Sequence, residues 1–356
     1  MPSLDVDALT NLASRLAGGP VQSLTPCRGG GNNRVYRVDT ADGPLALKLY
    51  PTLAEDTRDR LRHEYTALTF LAERVRPGLL PRAMVADPTA GAALYEWVDG
   101  MPVTDHGLAD VARVTALLAD LLQAGLAGGD IGPAVEPCLA TADILHRLAA
   151  RVSALEPIAA REPALAGLLE QVRTLVGPLA EALGPSALEP LPAAALVLSP
   201  SDFGFHNALR RDDGSLTFLD FEYFGWDDPA KAASDFLWHA GQVLRADQRY
   251  RFAADMLALY GGGQVDFAER LMQVYPLHGL NWVLIVLNEF RPDRWRRRQL
   301  AGHADDWDAA KARQLAKAEK LLDRVRLACH LHNALRRDLS LEDWIAQTGA
   351  LVGNEP

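Results

Sequence analysis

The segment at residues 198–229 constrains the fold more than any other part of the chain. It reads LSPSDFGFHNALRRDDGSLTFLDFEYFGWDDP, an apolar β-rich stretch that is interrupted by Asp202, Asn207 and Asp220. Its Asp213-Gly214 dipeptide is preferred in two-residue type I′ turns, so the segment is predicted to form a β-hairpin. The three polar residues are then either ordinary loop chemistry or the parts of a metal and phosphate site.

The register of this hairpin predicts which polar groups meet. A two-residue turn at 213–214 places Asn207 directly opposite Asp220. Opposed side chains of an antiparallel pair share one face, with Cβ atoms roughly 5 Å apart. An amide oxygen and a carboxylate placed in this way suit Mg²⁺, and Asp202 follows closely enough to face the same spot. The alternative interpretation is a hairpin with polar ends and no chemistry.

Length and charge limit the class of protein. The chain has 356 residues, more than one compact core usually takes, so two subdomains are expected. Hydrophobic residues make up 49% and charged residues 23%, an ordinary globular composition. The net charge of −10 argues against general nucleic-acid binding, which needs a basic face.

The cysteines and the apolar runs indicate the compartment. Cys27, Cys138 and Cys329 are scattered, with no CxxC pair that would favour a disulfide framework or a zinc site. The N-terminal stretch lacks the basic and apolar regions of a signal peptide, and no apolar run reaches the ~18 residues of a membrane span. We therefore expect a cytoplasmic protein with no membrane partner, of unknown oligomeric state.

Hydrophobic periodicity divides the chain into two parts. The first hundred residues alternate between helical and strand patterns, at 6–17, 35–40, 44–50, 55–74 and 92–98. The remainder is dominated by Ala/Leu-rich helical patterns at 107–126, 141–155 and 163–183 and from 231 onward, with the β-rich segment between them. Two lobes are therefore expected, a small strand-rich one at 1–98 and a larger helical one at 99–356.

A family resemblance rests on the spacing within 198–229. Asp202-x4-Asn207 followed by Asp220-Phe221 resembles the catalytic loop and the metal-binding loop of protein kinases. The DFEY variant, followed by GWDDPAKAASDF, is similar to the aminoglycoside phosphotransferase and choline kinase superfamily of small-molecule kinases. The resemblance implies an α+β, bilobal, protein-kinase-like fold with a small β-rich N-lobe and a larger, mostly helical C-lobe. It also implies that 1–98 is the nucleotide-binding lobe and 99–356 the catalytic and acceptor-binding lobe.

The same resemblance implies roles for the polar residues of this segment. Asp202 would orient or deprotonate the acceptor hydroxyl, Asn207 and Asp220 would hold Mg²⁺, and Glu222 would contribute to a second ion. The chain departs from the family in having Pro200-Ser201 where His-Gly is usual before the catalytic Asp. This departure questions the rigidity of the loop more than its chemistry.

The neighbouring residues of the catalytic segment are expected to be structural. In an extended backbone, His206 would face away from Asn207. Asp228-Pro229 is typical of the start of a helix, with Asp228 as the N-cap. Asp235 is expected to bond the backbone of the catalytic loop.

The N-terminal part offers a candidate nucleotide loop. Glycines let backbone N–H groups approach phosphate oxygens where a Cβ would intrude. Gly29, Gly30 and Gly31, followed by Asn33 and Tyr36, are similar to the nucleotide loop of the family. Taken alone, three glycines are more often only a mobile loop.

Lys48 is the candidate phosphate ligand, because it interrupts the apolar strand pattern LALKLY. A lysine on the third strand that pairs with a glutamate on the following helix positions ATP phosphates in kinases. Glu64 is the favoured partner, ahead of Glu55, Asp59 and Glu73. In the stretch ALYEWV, family resemblance makes Tyr95 the gatekeeper and assigns adenine to the backbone of Glu96 and Val98.

The acceptor is expected to lie against the C-terminal helices. Residues 291–337 carry thirteen Lys/Arg and six Asp/Glu, which is either a solvated helix face or an anion-recognition surface. The candidates for an anionic or polyhydroxyl acceptor are Arg291, Arg294, Arg296, Arg297 and Arg298. The opposing candidates, for an ammonium group, are Asp305, Asp306, Asp308, Trp295 and Trp307.

The resulting hypothesis is an ATP- and Mg²⁺-dependent kinase of small molecules. It would transfer the γ-phosphate to a hydroxyl of a sugar, amino sugar or amino alcohol. The alternatives are a catalytically degenerate nucleotide-binding scaffold of the same fold and a helical interaction protein that needs no nucleotide.

Overall fold

A five-stranded antiparallel sheet forms the N-terminal part of the molecule. The computed structural model describes residues 6–27, 33–51, 58–184, 188–300, 306–335 and 339–349. The sheet has the spatial order β1-β2-β3-β5-β4. Its strands are β1 (Val21–Pro26), β2 (Arg34–Thr40), β3 (Gly43–Leu49), β4 (Ala83–Asp87) and β5 (Ala92–Glu96).

The two faces of this sheet are covered by different helices. Helix α1 (Val6–Ala17), whose bounds agree with the sequence pattern, buries Leu9 and Leu12 against Leu47 and Leu49 of β3. Because side chains alternate along a strand, Lys48 points to the opposite face. That face is the one next to helix α2 (Arg60–Leu71), which carries Glu64.

The remainder of the chain is mainly helical. Its helices are α3 (Leu108–Leu126), α4 (Thr141–Ala159), α5 (Pro163–Glu181), α6 (Pro229–Trp238), α7 (Ala246–Tyr260), α8 (Phe267–Val286), α9 (Pro292–Leu300), α10 (Trp307–Leu335) and α11 (Leu341–Gln347). Helix α8 is central, since it packs against α4, α6 and α10 and is buried along most of its length. No helix within the described ranges has the length and apolar character needed to cross a bilayer.

Two small sheets are formed by short strands of the remainder of the chain. One pairs β7 (Val197–Ser199) with β10 (Gly225–Asp227), and the other has the order β6-β8-β9. The strands of the second sheet are β6 (Met101–Pro102), β8 (Ala208–Arg210) and β9 (Leu216–Phe218). The predicted β-rich segment therefore exists, and β6 joins it directly after the end of the N-terminal sheet.

The predicted two-residue turn of the hairpin is wrong. Gly214 has φ +78, and the backbone N–H of Arg211 donates to the carbonyl of Ser215 at 2.9 Å, so the loop contains three residues. The Asp213 carboxylate stabilises this loop by accepting from the Ser215 backbone N–H at 2.8 Å and from its hydroxyl at 2.6 Å. A left-handed glycine after a type I turn is a common way to close such a loop.

The longer loop shifts the hairpin register by one residue. Ala208 pairs with Phe218, and the backbone N–H of Leu219 donates to the Asn207 carbonyl at 2.8 Å. Asn207 therefore lies opposite Leu219, whereas the sequence pattern predicted that it lies opposite Asp220. Asp220 follows directly, with a left-handed φ of +67, and its carboxylate is directed by that backbone turn and not by a regular ladder.

Candidate active site

Lys48 lies at the centre of a buried ionic network. Its Nζ donates to Glu64 Oε2 at 2.6 Å and to Asp220 Oδ1 at 2.6 Å. The Tyr50 hydroxyl donates to the same oxygen of Glu64 at 2.7 Å and contacts the Tyr95 hydroxyl at 2.6 Å. The network joins the N-terminal sheet and α2 to the segment after the hairpin.

The ion pair between Lys48 and Glu64 is the one that the sequence favours over its competitors. Among those competitors, Asp59 caps α2 by accepting from the Arg62 backbone N–H at 3.1 Å, and Glu55 lies outside the described residues. Burial opposes the charged form of Lys48, but Asp220 and Glu64 together raise its pKa above the usual value. The lysine is therefore a fixed positive charge.

Two strained backbone positions flank the network. Ser201, with φ +60, and Asp220, with φ +67, are the non-glycine residues with positive φ among those described. Such conformations cost of order 1–3 kcal/mol and cluster at functional sites. Here Ser201 immediately precedes Asp202, and the backbone turn at Asp220 sets the direction of its own carboxylate.

Asn207 is oriented by a backbone contact. Residues Phe205–Asn207 form a 3-10 turn, and the Asn207 side-chain N–H donates to the Asp202 carbonyl at 3.0 Å. This bond engages the donor end of the amide and leaves its oxygen available to a cation. The loop itself is held by Gln242, whose side-chain oxygen accepts from the Phe205 N–H at 2.9 Å, and by Ser199, whose hydroxyl accepts from the Ser201 N–H at 3.1 Å.

Two histidines hold the Asp202 carboxylate. His206 Nε2 and His239 Nε2 lie 3.2 Å and 3.0 Å from Asp202 Oδ1, and their rings stack at 3.6 Å. The Gly241 backbone N–H donates to His239 Nδ1 at 2.9 Å, so that nitrogen is an acceptor and carries no proton. In neutral His239 the proton is therefore on Nε2, which donates to Asp202.

This tautomer bears on whether the three residues could hold a metal. Ligand atoms of Asp202, His206 and His239 lie within 4.8 Å of one another. A neutral histidine binds a metal through a bare nitrogen, and His239 Nε2 carries its proton. The cluster thus fits an oriented carboxylate better than a metal centre.

The histidine contacts keep Asp202 ionised. Although burial favours the neutral acid, hydrogen bonds from His206 and His239 hold the pKa of Asp202 well below its usual value. The extended backbone that was assumed for His206 is wrong, because residues Phe205–Asn207 form a 3-10 turn that brings His206 to Asp202. His239 lies far away in sequence, and no local pattern pointed to it.

The role of Glu222 as a metal ligand stays a prediction, and its described contacts give it a further, structural role. Its carboxylate lies within 4.8 Å of Glu64 and Asp220, but both of its oxygens are engaged. Oε1 accepts from Arg60, and Oε2 accepts from the Asn33 side-chain amide at 2.8 Å. We therefore assign Glu222 and Asn33 to a buried link between the two parts of the chain.

Only some of the remaining residues predicted to contact the nucleotide lie within the described ranges. Gly29, Gly30 and Gly31 lie outside the described residues. Glu96 ends β5 with its N–H donating to the Arg82 carbonyl at 2.9 Å, and Val98 is buried directly after it. Their contact with adenine stays a prediction.

For helix α6, which follows the hairpin segment, one expectation is confirmed and another is wrong. The N-cap role of Asp228 is confirmed, because its carboxylate accepts from the Ala230 N–H at 2.8 Å at the start of α6. Asp235 instead contacts side chains: Lys231 at 3.1 Å and Trp282 Nε1 at 3.0 Å. It therefore supports the wall of the site and not the backbone of the catalytic loop.

A cavity of about 330 Å³ opens beside Asp202. Seven basic and four acidic side chains line it among the described residues. The basic ones include Arg147 and Arg151 of α4, which the sequence did not single out because α4 reads as an ordinary amphipathic helix. Asp202 and His239 also line the cavity, so it connects the Asp202 carboxylate with this set of charged side chains.

The two groups of residues that were predicted to bind the acceptor lie in different places in the structure. Of the five candidate arginines, Arg294 and Arg298 line the cavity, and the Arg297 side chain lies outside the described part. Among the acidic candidates, Asp306 caps α10 by accepting from the Ala309 N–H at 3.0 Å, and Asp308 is 84% exposed. Trp307 donates to the Glu289 carbonyl at 2.7 Å, and Asp305 lies outside the described residues. None of the described members of this group lines the cavity.

Comparison with solved structures identifies the fold. The choline kinase LicA from Streptococcus pneumoniae superposes with a TM-score of 0.56 at 16% identity, over 89% of this chain and 98% of that one. A choline kinase from Cryptosporidium parvum Iowa II gives 0.56 at 12% identity, over 90% and 97% of the two chains. A spectinomycin phosphotransferase, crystallised with ADP and spectinomycin, gives 0.58 at 11% identity, over 90% and 99%.

These similarities confirm the predicted α+β, bilobal, protein-kinase-like fold. No curated protein matches the chain in sequence. The family model described as "Phosphotransferase enzyme family" matches residues 23–275, which include Lys48, Glu64, Asp202, Asn207 and Asp220. The chain belongs to this phosphotransferase family of small-molecule kinases.

Proposed function

We propose that the protein transfers the γ-phosphoryl group of ATP, with Mg²⁺, to a hydroxyl group of a small molecule. The observation that carries the proposal is the buried network in which Lys48 contacts both Glu64 and Asp220. Such a network brings a fixed positive charge and a carboxylate to one point, which suits a metal-bound polyphosphate. Similar folds crystallised with ADP or AMP support a nucleotide as the phosphoryl donor.

Lys48, Asn207 and Asp220 would hold the donor. The Lys48 ammonium would bind phosphate oxygens, and the Asn207 amide oxygen and the Asp220 carboxylate would bind Mg²⁺, which takes oxygen ligands. These two side chains fit, because each keeps an oxygen beyond its described contact with Asp202 or Lys48. When bound, Mg²⁺ neutralises the charge that develops on the phosphates during transfer.

Asp202 would orient the acceptor. Its ionised carboxylate lines the cavity and is 41% exposed, so an acceptor hydroxyl can donate a hydrogen bond to it. The hydroxyl oxygen forms its bond to the γ-phosphorus as the bond between that phosphorus and the bridging oxygen of ADP breaks. The hydroxyl proton passes to Asp202.

Asp202→Asn tests this role, with Asp308→Asn as a matched control at an exposed position. We expect Asp202→Asn to lower kcat at least a hundredfold, because general-base assistance typically contributes 10²–10⁴-fold, and to keep Mg²⁺-dependent thermal stabilisation by ATP. ADP release across a panel of hydroxyl compounds measures the first effect. Wild-type turnover in Asp202→Asn, with an inactive Lys48→Met variant, would contradict the assignment of Asp202.

A nucleotide-binding scaffold would behave differently. It would show stabilisation by ATP and Mg²⁺ with no ADP release across the whole panel.

The lobe boundaries at 1–98 and 99–356 and the cytoplasmic location are part of the same proposal. The cytoplasm is favoured by three free cysteines, Cys27, Cys138 and Cys329.

A further inference from the structure

Two arginines of α4 face the cavity beside Asp202 from one side. Arg147 and Arg151 are four residues apart, so they lie on the same face of the helix. Their side chains are only 14% and 20% exposed. Like charges at this spacing destabilise a helix, so helix stability gives no reason for the pair.

A single carboxylate lies between these guanidiniums. Glu136 Oε2 is 2.8 Å from Arg151 and 3.8 Å from Arg147, and Glu136 Oε1 is 3.6 Å from Arg58. Arg151 also donates to Asn281 Oδ1 at 2.9 Å, and Arg147 donates to the Pro137 carbonyl at 2.8 Å. These bonds to uncharged groups fix the geometry of the arginines. Among the described residues, Glu136 is the carboxylate that the two arginines share.

The electrostatics of Glu136 reflect this excess of positive charge. Burial alone would raise the pKa of its carboxyl, but Arg151, Arg147 and Arg58 hold that pKa below its usual value. Burial lowers the pKa of Arg151, and the neighbouring Arg147 acts in the same direction. A bound anion would relieve this repulsion.

The acidic side chains of the cavity have partners within the protein. In the described lining, Asp202 is bonded by two histidines, Asp235 by Lys231, and Glu289 by Arg298. Glu136, the fourth, lies among the arginines. Apart from Asp202, which faces the acceptor hydroxyl, an ammonium group entering the cavity would therefore meet carboxylates that already have cationic partners, together with a surplus of guanidinium groups.

We propose that the cavity binds an anionic acceptor, a hydroxyl compound whose carboxylate or phosphate group is held by Arg147 and Arg151 while its hydroxyl reaches Asp202. This inference rests on the proposed function. It narrows the acceptor from any hydroxyl compound to acids, and it predicts that choline-like or aminoglycoside-like cations are poor substrates. Arginine suits the role, because its planar fork binds carboxylate and phosphate groups bidentately.

The test compares acceptors that share a six-carbon skeleton and differ in charge. ADP release is measured with gluconate, glucose 6-phosphate, glucose and glucosamine, where the first two separate a carboxylate from a phosphate. We expect kcat/KM to be at least about tenfold higher for one of the two acids than for glucose or glucosamine. A preference for glucose or glucosamine would overturn the inference and leave the proposed function standing.

Paired variants test the residues in opposite directions. Arg147→Gln and Arg151→Gln should each raise the KM for the acidic acceptor about tenfold, with the KM for ATP unchanged. Glu136→Gln removes the competing carboxylate and should lower that KM. Arg173→Gln, an exposed arginine of α5, is the control. A merely structural role predicts losses in all three cavity variants.

Binding is measured independently of turnover. Gluconate and inorganic phosphate should raise the melting temperature of the wild type more than that of Arg151→Gln, whereas choline should raise neither. Equal shifts in both proteins would overturn the inference even if no member of the panel is phosphorylated. If ATP does not raise the melting temperature of the wild type while the anions still do, the proposed function fails and the inference about the anion stands.

Discussion

At the scale of single residues, the hydrogen-bond pattern of His239 determines its role. The Gly241 N–H occupies Nδ1, so Nε2 must donate, and Asp202 receives that bond at 3.0 Å. His239 is therefore a positioning residue that holds one oxygen of the carboxylate. His206 contacts the same oxygen from the adjacent turn at 3.2 Å, so the carboxylate is restrained from two sides.

Substitution of His239 tests this role. We expect His239→Ala to lower kcat on the order of tenfold, because a loosened base is misaligned with the acceptor, and to leave the KM for ATP unchanged. His239→Gln carries an amide N–H at a similar reach and should recover part of the loss. Steady-state kinetics of both variants measure the effect.

Two results would contradict this assignment. One is an unchanged kcat in His239→Ala. The other is equal activity in His239→Ala and His239→Gln, since a purely packing role would not distinguish an amide donor from none. Thermal unfolding of both variants controls for general loss of structure.

At the scale of elements, the start of α3 is joined to the hairpin strand β8 through Asp110. The Gly107 N–H donates to Asp110 Oδ2 at 2.8 Å, and Arg210 of β8 donates to Oδ1 at 2.9 Å. Arg113 adds a contact to Oδ1 at 2.8 Å from the next turn of the helix. This link holds the strand that directly follows Asn207 against the helical body.

The link predicts a pH-dependent contribution to stability. Burial opposes ionisation of Asp110, but the bonds from Arg210 and Gly107 hold its pKa below the usual value. A lowered folded-state pKa gives stability that is complete above the unfolded value, about 3.9, and is lost as pH falls through the folded value.

Asp110→Asn removes the titrating group and checks this sign. Near neutral pH we expect it to lower the free energy of unfolding by about 2 kcal/mol, as for a charge-assisted hydrogen bond. The difference from wild type should shrink as pH falls below about 4. Urea denaturation over this pH range measures it, and a difference that grows in acid would contradict the assignment.

The elements also show how far a sequence pattern reaches. The apolar periodicity of residues 6–17 predicts α1, and the alternation in LALKLY places Lys48 on the face next to Glu64. Both follow from periods that the backbone imposes. The hairpin register does not, because the side chain of Asp213 stabilises a three-residue loop that competes with the two-residue turn.

The arginines around the cavity were beyond local reasoning for a related reason. Arg147 and Arg151 come together with Glu136 and Asp202 only through tertiary packing. In sequence they look like the polar face of a helix. The charge excess at 291–337 pointed toward an anionic acceptor, but only two of its five candidate arginines line the cavity among the side chains that the structure describes.

At the scale of the whole molecule, buried polar contacts join the N-terminal sheet and α2 to the helical part. Arg60 of α2 and Asn33 both bond Glu222, and Lys48 bonds Asp220. The Arg60 and Glu222 side chains are each only 2% exposed. The two parts are thus fixed to each other at the same place where the candidate active site lies, so stability and alignment of the site depend on shared contacts.

Arg60→Met separates these contributions. It leaves the buried Glu222 carboxylate with Asn33 but without the guanidinium, and removal of one partner of a buried pair costs about 3–5 kcal/mol. The double variant Arg60→Met, Glu222→Met replaces the pair by apolar groups and should recover most of this loss. Urea denaturation of both variants gives the unfolding free energies. We expect the stabilised double variant to retain binding of ATP and Mg²⁺, because Lys48, Asn207 and Asp220 are untouched. A double variant as unstable as the single one would show that Arg60 acts through contacts other than Glu222.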